Sequence, residues 1–303
     1  MDNYQHTISM KLELNEENYK AIKKLEAICY EEQITYLKLE LDFKMGQMKN
    51  SIKNKIMTEF LYYQNEILVG YLGLCNFGGD TVEVSGMVHP NFRKKGIFKK
   101  LYLLAREEWQ KICPSEVLAL CDHTSVSGLA FINTLGAEYA SSEYKMCLNN
   151  VLTLENPPSQ GIKLRLATSE DVTEIYRQDS INFGLMEKKI DDKEVQEAIE
   201  ETAIQVDDAN TINYLAELTG EIIGKIRITI TNNEGFIYGF GVLPEYRGKG
   251  YGREILCYAL DILKKKQVDN IYLEVATENK NALGLYESCG FEEISVMDYY
   301  VVS

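Results

Sequence analysis

A glycine-rich run between an apolar stretch and a helical pattern carries the strongest chemical signal in the chain. It reads Arg-Gly-Lys-Gly-Tyr-Gly over residues 247–252 and follows the apolar segment Phe236–Leu243. Glycines at every second position let consecutive N–H groups turn to one side, and the start of the next helix adds the positive end of its dipole. Such a turn binds phosphate groups. We therefore expect a phosphorylated small molecule as ligand.

The spacing within this run excludes two common phosphate loops. Arg253 stands where the dinucleotide pattern G-x-G-x-x-G requires its third glycine, and Gly250 follows Lys249 where the Walker pattern requires Ser or Thr. A plain glycine-rich turn between a strand and a helix remains the structural alternative.

A second group of chemically useful residues lies near the end of the chain. It reads Leu-Glu-Val at 273–275, then Asn279-x-x-Ala-x-x-Leu-Tyr286, then Gly-Phe at 290–291. Asn279 and Tyr286 are seven residues apart and share one helix face, while Glu274 alternates with apolar strand neighbours. A tyrosine stays protonated at neutral pH and can act as a general acid, and a carboxylate can act as a base. The structural alternatives are a core tyrosine bound to backbone and a glutamate that anchors a neighbouring strand.

The chain partly matches itself at an offset of 154 residues. Arg93 aligns with Arg247, Gly96 with Gly250 and Gly136 with Gly290, over about 80 residues without a gap. Each half predicts the order strand, two helices, three strands, helix, strand, helix, strand. In the second half these elements are strand 162–166, helices 169–177 and 191–205, strands 213–218, 222–230 and 236–243, a helix from 251, strand 270–275, helix 279–288 and strand 295–301. We expect domains at 1–150 and 162–303, joined by a linker over 151–161 that Pro157 and Pro158 stiffen.

The loop, the second motif and the element order together resemble the GCN5-related N-acetyltransferase (GNAT) superfamily, twice in one chain, as in mycothiol synthase. The resemblance implies an α+β fold of two tandem domains, each a mixed, mostly antiparallel sheet flanked by helices. It implies acetyl-CoA as the acyl donor, with the backbone near Val242 facing the thioester oxygen. The residues it assigns to cofactor binding are Val242, Arg247, Gly248, Lys249, Gly250, Tyr251, Gly252 and Asn279. It makes Tyr286 the acid that protonates the leaving thiolate.

The base is Glu274 by similarity to the ribosomal-protein alanine acetyltransferase branch, in which a Leu-Glu-Val lies twelve residues before the tyrosine. Other members of the family use water or another carboxylate, and Glu217 is the second choice. The matching positions of the first half have lost this chemistry. Where the second half has Gly248, Gly252, Glu274, Asn279 and Tyr286, the first half has Lys94, Phe98, Leu120, Ser125 and Ile132. We therefore expect a catalytically degenerate first domain that shapes the acceptor pocket, with weak cofactor binding left open. Asp122 and His123 offer a less favoured local base there.

Composition restricts the partners. The 303 residues carry a net charge of −14, which disfavours nucleic acid and anionic membranes as partners, and no run is apolar enough to span a bilayer. The seven cysteines form no C-x-x-C pair and suit a reducing cytoplasm. Neither they nor the three histidines show metal-ligand spacing. The sequence does not specify an oligomeric state.

The leading hypothesis is direct acetyl transfer from acetyl-CoA to an amine of a small molecule or peptide. The alternative is a non-catalytic module that binds or senses acyl-CoA on the duplicated scaffold. A thiol-forming conjugation step like that of mycothiol synthase is a third hypothesis, with the same reaction and a different acceptor.

Overall fold

The computed structural model describes residues 6–47, 56–77, 80–149, 161–182, 199 and 211–302. These residues form two compact units, and we describe each by itself. Unit 1 comprises Met1–Glu143 together with Ser295–Ser303, and unit 2 comprises Tyr144–Ile294.

Unit 1 follows the predicted order of elements. They are β1 (His6–Lys11), α1 (Glu16–Glu32), α2 (Leu41–Gln47), β2 (Glu59–Gln64), β3 (Ile67–Cys75), β4 (Thr81–Val88), α3 (Ile97–Trp109), β5 (Glu116–Asp122), α4 (Val126–Leu135) and the first half of β6 (Glu138–Asn149). Residues 34–40, which precede helix α2, are not helical. Strands pair antiparallel in the order β1-β2-β3-β4, and β4 pairs with β5 in parallel.

Unit 2 repeats the same series. Its elements are β7 (Ile162–Leu166), α5 (Val172–Asn182), β8 (Thr211–Leu218), β9 (Glu221–Thr231), β10 (Glu234–Val242), α6 (Tyr251–Lys265), β11 (Asn270–Ala276), α7 (Lys280–Ser288) and the start of β12 (Glu292–Val301). The predicted helix 191–205 lies outside the described residues except for Ile199, and the predicted linker 151–161 does so except for Gly161. Strands β7, β8, β9 and β10 pair antiparallel.

The units differ from the expected domains in their final strands. Within unit 1, residues Met297–Val301 of β12 pair antiparallel with β5, from Met297 opposite Asp122 to Val301 opposite Leu118. Met146 and Leu148, from the second half of β6, are instead buried in the core of unit 2. Each half of the sequence thus completes its sheet with the last strand of the other half. Sequence periodicity predicts a strand but not its partner, so this exchange was not foreseen.

The core of unit 2 lies between the sheet and α6. Ile226 and Ile228 of β9 are buried against Ile255, Ala259 and Leu263, which recur on one face of the amphipathic helix. The alternate residues of β9 point to the other face, toward α5. This division leaves the α6 face apolar and the α5 face available for polar chemistry.

Two irregularities in the sheet of unit 2 shape the region before the glycine loop. The parallel pairing of β10 with β11 ends at Ile237 opposite Leu273, while β10 runs on to Val242. On its other edge, the register of β10 with β9 shifts between Tyr238 and Gly241, which marks a β-bulge. Strands β10 and β11 therefore separate where the bulge turns the backbone of β10.

Candidate active site

The glycine loop begins with a short 3-10 turn, Pro244–Tyr246, and leads into α6. Gly248 and Gly250 have φ angles of 74° and 87°, in the left-handed region that favours glycine. Gly250 is the N-cap of α6 and has no side chain to cap the helix, so the first N–H groups have no intrahelical or capping partner. The N–H groups of Tyr251, Gly252 and Arg253 precede the first bond of the helix, which Glu254 donates to Gly250. This uncapped terminus fits the diphosphate of a coenzyme.

The two cationic side chains of the loop shape its backbone. Arg247 donates from Nε to the Val242 carbonyl at 2.8 Å and from Nη2 to the Asn182 side chain at 2.8 Å. Lys249 donates to the Glu245 carbonyl at 3.0 Å. Both side chains therefore hold the loop in place, and their charges remain beside the glycines.

Tyr286 lies on α7 with only 7% of its surface exposed, between the rings of Phe240 and Phe291. Burial raises its pKa to about 12, so the hydroxyl stays protonated at neutral pH. That hydroxyl makes no hydrogen bond to the part of the chain that the structure describes. The alternative of a core tyrosine bound to backbone therefore gains no support from the described residues.

Asn279 and Glu274 flank this helix. Asn279 is the N-cap of α7, and its side-chain oxygen accepts from the Ala282 N–H at 3.1 Å. Its amide NH2 can therefore donate hydrogen bonds to a ligand. Glu274 lies on β11 with an exposed side chain. Glu217, the second choice of base, is on β8 and forms an ion pair with Arg165 at 2.5 Å. Strand β9 separates β8 from β10, so Glu217 is the less suitable base.

The matching loop of unit 1 keeps its backbone shape. Lys94 and Gly96 have φ angles of 60° and 76°, close to those of their counterparts. Arg93 donates to the Val88 carbonyl at 3.1 Å and Lys95 to the Asn91 carbonyl at 2.9 Å, which repeats the bonds of Arg247 and Lys249. The loop conformation therefore belongs to the duplicated scaffold and is not evidence of binding by itself.

The surroundings of that loop differ between the units. The ring of Phe98 packs 4.8 Å from that of Phe131, and its edge lies 3.1 Å from a Cβ built on Gly86 of β4. The register of β4 with β3 is continuous, without a bulge. In unit 2 the arrangement is reversed, because a Cβ built on Gly252 would meet Leu285 at 3.5 Å and the ring of Phe240, which stands where unit 1 has Gly86, at 3.7 Å.

A buried polar cluster faces α5 in unit 2, and the sequence analysis missed it. Lys225 and Arg227 on β9 are 3% and 7% exposed and lie near Asp179 of α5. The signal was present in the sequence, because the two cations alternate with Ile226 and Ile228 in a strand with few other polar residues. A strand with one apolar and one cationic face in the middle of a sheet indicates a polar site.

The local base suggested in unit 1 does not form from adjacent residues. Asp122 accepts from the backbone N–H groups of Tyr36 and Thr124, at 2.9 and 2.8 Å. His123 instead places Nδ1 2.7 Å from the carboxylate of Asp298, on the exchanged strand β12. The Asp122–His123 prediction is therefore wrong in its choice of partner.

The described residues were compared with the requirements of a metal site and of a membrane-spanning helix. No group of three or more His, Cys, Asp and Glu side chains there could hold a metal ion. Among the described helices, none combines the length and apolar character needed to cross a bilayer.

Comparisons with known proteins identify the second half. Residues 170–291 match the family model described as Acetyltransferase (GNAT) family. The chain is 30% identical over 89 residues to the [ribosomal protein bS18]-alanine N-acetyltransferase of Escherichia coli K12, and 28% identical over 100 residues to an N-alpha-acetyltransferase of Sulfurisphaera tokodaii. Each match covers 29% of this chain and 60% of the relative, so the chain spans less than two thirds of either protein.

Two solved structures match almost the whole chain. A GCN5-related N-acetyltransferase from Sphaerobacter thermophilus has a TM-score of 0.73 at 19% identity and covers 98% of this chain and 95% of its own. A tandem GNAT protein from the clavulanic acid biosynthesis pathway has a TM-score of 0.72 at 17% identity, with 98% of both chains covered. Residues 170–291 thus match the GNAT acetyltransferase family model, and the chain as a whole has the fold of a tandem GNAT protein.

Proposed function

We propose that unit 2 transfers an acetyl group from acetyl-CoA to an amine of a small molecule or peptide. The observation that carries the proposal is the uncapped N-terminus of α6 beside the gap between β10 and β11, with the Tyr286 hydroxyl free of hydrogen bonds to the described chain. The N–H groups from Gly248 to Gly252 hold the coenzyme diphosphate, and the separated strands admit its pantetheine arm.

The acceptor nitrogen attacks the thioester carbonyl in a ternary complex. A backbone N–H near Val242, at the end of the bulged strand, stabilises the negative charge that forms on the carbonyl oxygen. The bond from the carbonyl carbon to sulfur then breaks, and the acyl group remains on nitrogen as an amide. Positioning of two bound substrates supplies much of the rate, and no acyl-enzyme is required.

Two protons move in this reaction. The attacking amine loses one to Glu274, directly or through water, since the exposed carboxylate can exchange protons with solvent. The leaving sulfur receives a hydrogen bond from Tyr286 in the transition state, and any proton that Tyr286 passes to the thiolate is replaced from solvent, which takes up the proton of the amine from Glu274. A thiol has a pKa near 8.5, so a tyrosine with a pKa of about 12 acts mainly as a hydrogen-bond donor in the transition state.

Unit 1 serves as a structural partner. Ile132 and Leu120 stand where an acid and a base are needed, and the bulky Phe98, packed on Phe131, stands where unit 2 has Gly252. The proposed cytoplasmic location rests on the free cysteines, which a reducing compartment preserves.

The test is release of CoA from acetyl-CoA over a library of amines, with mass spectrometry of the products. We expect an acetylated amine whose formation depends on Tyr286 and slows in Glu274→Gln. Tight binding of acetyl-CoA with no transfer to any amine would instead support a non-catalytic acyl-CoA-binding module.

A further inference from the structure

Two buried cations share one face of β9 in unit 2. Lys225 is 3% exposed and Arg227 is 7% exposed, and both point toward α5. Burial of a cation is unfavourable unless an anion or several acceptors compensate it. Within the described residues, one carboxylate and one side-chain amide oxygen supply this compensation.

One carboxylate faces the two cations. Lys225 Nζ lies 2.5 Å from Oδ1 of Asp179, and Arg227 Nη2 lies 3.8 Å from Oδ2 of the same group. Arg227 also donates from Nε to the Asn213 side chain at 2.7 Å, and its guanidinium lies over the ring of Tyr238. Lys225, Arg227 and Asp179 together carry a net charge of +1 while Lys225 is protonated, and Arg247 of the glycine loop adds a positive charge at the edge of the cluster through its bond to Asn182.

Three donor atoms in this cluster lack hydrogen-bond partners in the described structure, wholly or in part. Arg227 Nη2 and Asn182 Nδ2 have none at all, and Lys225 Nζ has a polar contact only with Asp179, which leaves at least one of its three N–H donors available. Burial lowers the pKa of Lys225 to about 8, which reflects the same incomplete compensation. Several buried donors and a net positive charge fit a bound anion.

The cluster lies opposite the bulge of β10. Lys225 pairs with Gly241 and Arg227 with Tyr238 across the shifted register. A Cβ built on Gly239 would lie 3.3 Å from Lys225 Nζ, and one built on Gly241 would lie 2.2 Å from Asn182 Nδ2. Because glycine has no Cβ, Lys225 Nζ and Asn182 Nδ2 can approach the backbone of β10 that leads to Val242. The face toward α5 is opposite the face covered by α6, whose N-terminus forms the diphosphate cradle.

We propose that Lys225, Arg227 and Asn182 bind a carboxylate of the acceptor, so that unit 2 selects amines that carry a nearby carboxylate. This inference rests on the proposed acetyl transfer, because it places the anion beside the acyl group. Arg247 belongs to the loop assigned to the coenzyme diphosphate, so the net charge of +1 on Lys225, Arg227 and Asp179 is what remains for the acceptor. That charge matches a singly charged carboxylate better than a dianionic phosphate. The carboxylate can belong to a free amino acid or to the end of a short peptide, and the two sources differ in the experiment below.

The first arm of the test measures transfer with matched acceptors. Amino acids are compared with their carboxamides, and short peptides with their C-terminal amides. We expect kcat/KM at least tenfold higher for the carboxylates, on free amino acids, on peptides or on both. Arg227→Met should remove that preference while leaving the CoA dissociation constant within twofold of wild type, and Arg227→Lys should restore part of it. Equal rates for carboxylates and amides in the wild type would overturn the proposal.

The second arm does not depend on catalysis. Binding of an N-acetyl amino acid and of its amide is measured by calorimetry on the full chain with CoA present. We expect the carboxylate to bind at least tenfold more tightly to the wild type and to Lys265→Met, a control at an exposed lysine, than to Arg227→Met. Arg227→Met lowers the net charge of Lys225, Arg227 and Asp179 to zero and leaves the ion pair between Lys225 and Asp179 in place.

The two arms distinguish failure of the proposed anion site from failure of the proposed reaction. Carboxylate-selective binding that Arg227→Met loses, without transfer to any amine, would retain the anion site and reject the proposed reaction. Transfer without any carboxylate selectivity would retain the reaction and reject the anion site.

Discussion

Gly250 and its counterpart Gly96 offer a matched pair of substitutions for testing the diphosphate cradle. Each is the N-cap of a helix, with φ angles of 87° and 76° in the left-handed region, and a Cβ built on Gly96 meets nothing within 4 Å. Valine at either position therefore introduces similar backbone strain. Left-handed backbone costs an L-residue about 1–2 kcal/mol, so both variants should lose a similar amount of stability.

The effect on coenzyme binding should differ between the two. Relief of the strain at Gly250 turns the adjacent N–H groups away from the diphosphate. Loss of one hydrogen bond to a charged group costs about 1.5–3 kcal/mol, which weakens the CoA dissociation constant by roughly 10–150-fold. At Gly96 we expect a change below twofold, because the bulky Phe98, packed on Phe131, stands at the helix start where unit 2 has Gly252.

The assay is calorimetric titration of CoA, with urea unfolding of both variants to verify equal strain. An unchanged dissociation constant in Gly250→Val would refute the cradle. A loss of equal size in Gly96→Val would show that unit 1 binds the coenzyme as well, and would refute the ranking of the two units.

Four further predictions follow from individual contacts. Tyr286→Phe should lower kcat by roughly 10–100-fold with CoA affinity unchanged, and the wild-type rate should not fall between pH 7 and 10 through this group, because its pKa is about 12; a pH profile of CoA release measures both. Gly252→Phe, which places the ring of Phe98 at the matching position of unit 2, should weaken CoA binding at least tenfold in calorimetry, and urea unfolding measures the separate cost of moving Phe240 and Leu285, which lie 3.7 and 3.5 Å from a Cβ at this position. Arg165 lowers the pKa of Asp171 to about 2, so Asp171→Asn should cost about 1 kcal/mol of stability, discounted for solvent screening; urea unfolding should show the full cost above pH 4 and a decreasing cost as the pH falls toward 2. Burial lowers the pKa of Lys225 to about 8, and the unfolded chain binds more protons between pH 8 and about 10.4, so wild-type stability should rise by up to about 3 kcal/mol relative to Lys225→Met across that interval.

Most of the architecture could be predicted from local pattern. The hairpins, the amphipathic helices and the glycine loop have strong periodic or turn signals, and the two motifs place α6 and α7 correctly. The exchange of the final strands could not be predicted, because strand pairing depends on side-chain fit across the sheet rather than on the residues of one strand. The predicted roles of Glu274 and Tyr286 stay predictions.

The constant offset between the halves concealed a difference. Leu74 pairs with Val84 ten residues later in unit 1, whereas Ile228 pairs with Ile237 nine residues later in unit 2. The connection from β3 to β4 in unit 1 is therefore one residue longer than that from β9 to β10 in unit 2. The bulge near Gly241 inserts one extra residue into β10, which restores the offset of 154 before the glycine loop. The alignment therefore has no gap even though the backbone differs at the point most relevant to chemistry.

The buried cations illustrate the limit of single-motif reasoning. Lys225 and Arg227 belong to no recognised pattern, and their importance depends on Asp179 and Asn182, which lie more than 40 residues away in sequence. Only the packing of α5 against β9 brings these residues together.

The exchanged strand also affects how the chain is synthesised. Unit 1 needs residues 295–301 to complete its sheet, and about 150 residues separate them from its other strands. At 5–20 residues per second, the edge of β5 waits roughly 8–30 s on the ribosome for its neighbour. Each duplicated half has thereby become dependent on the other, and cleavage of the gene between them would leave two polypeptides with unpaired edges.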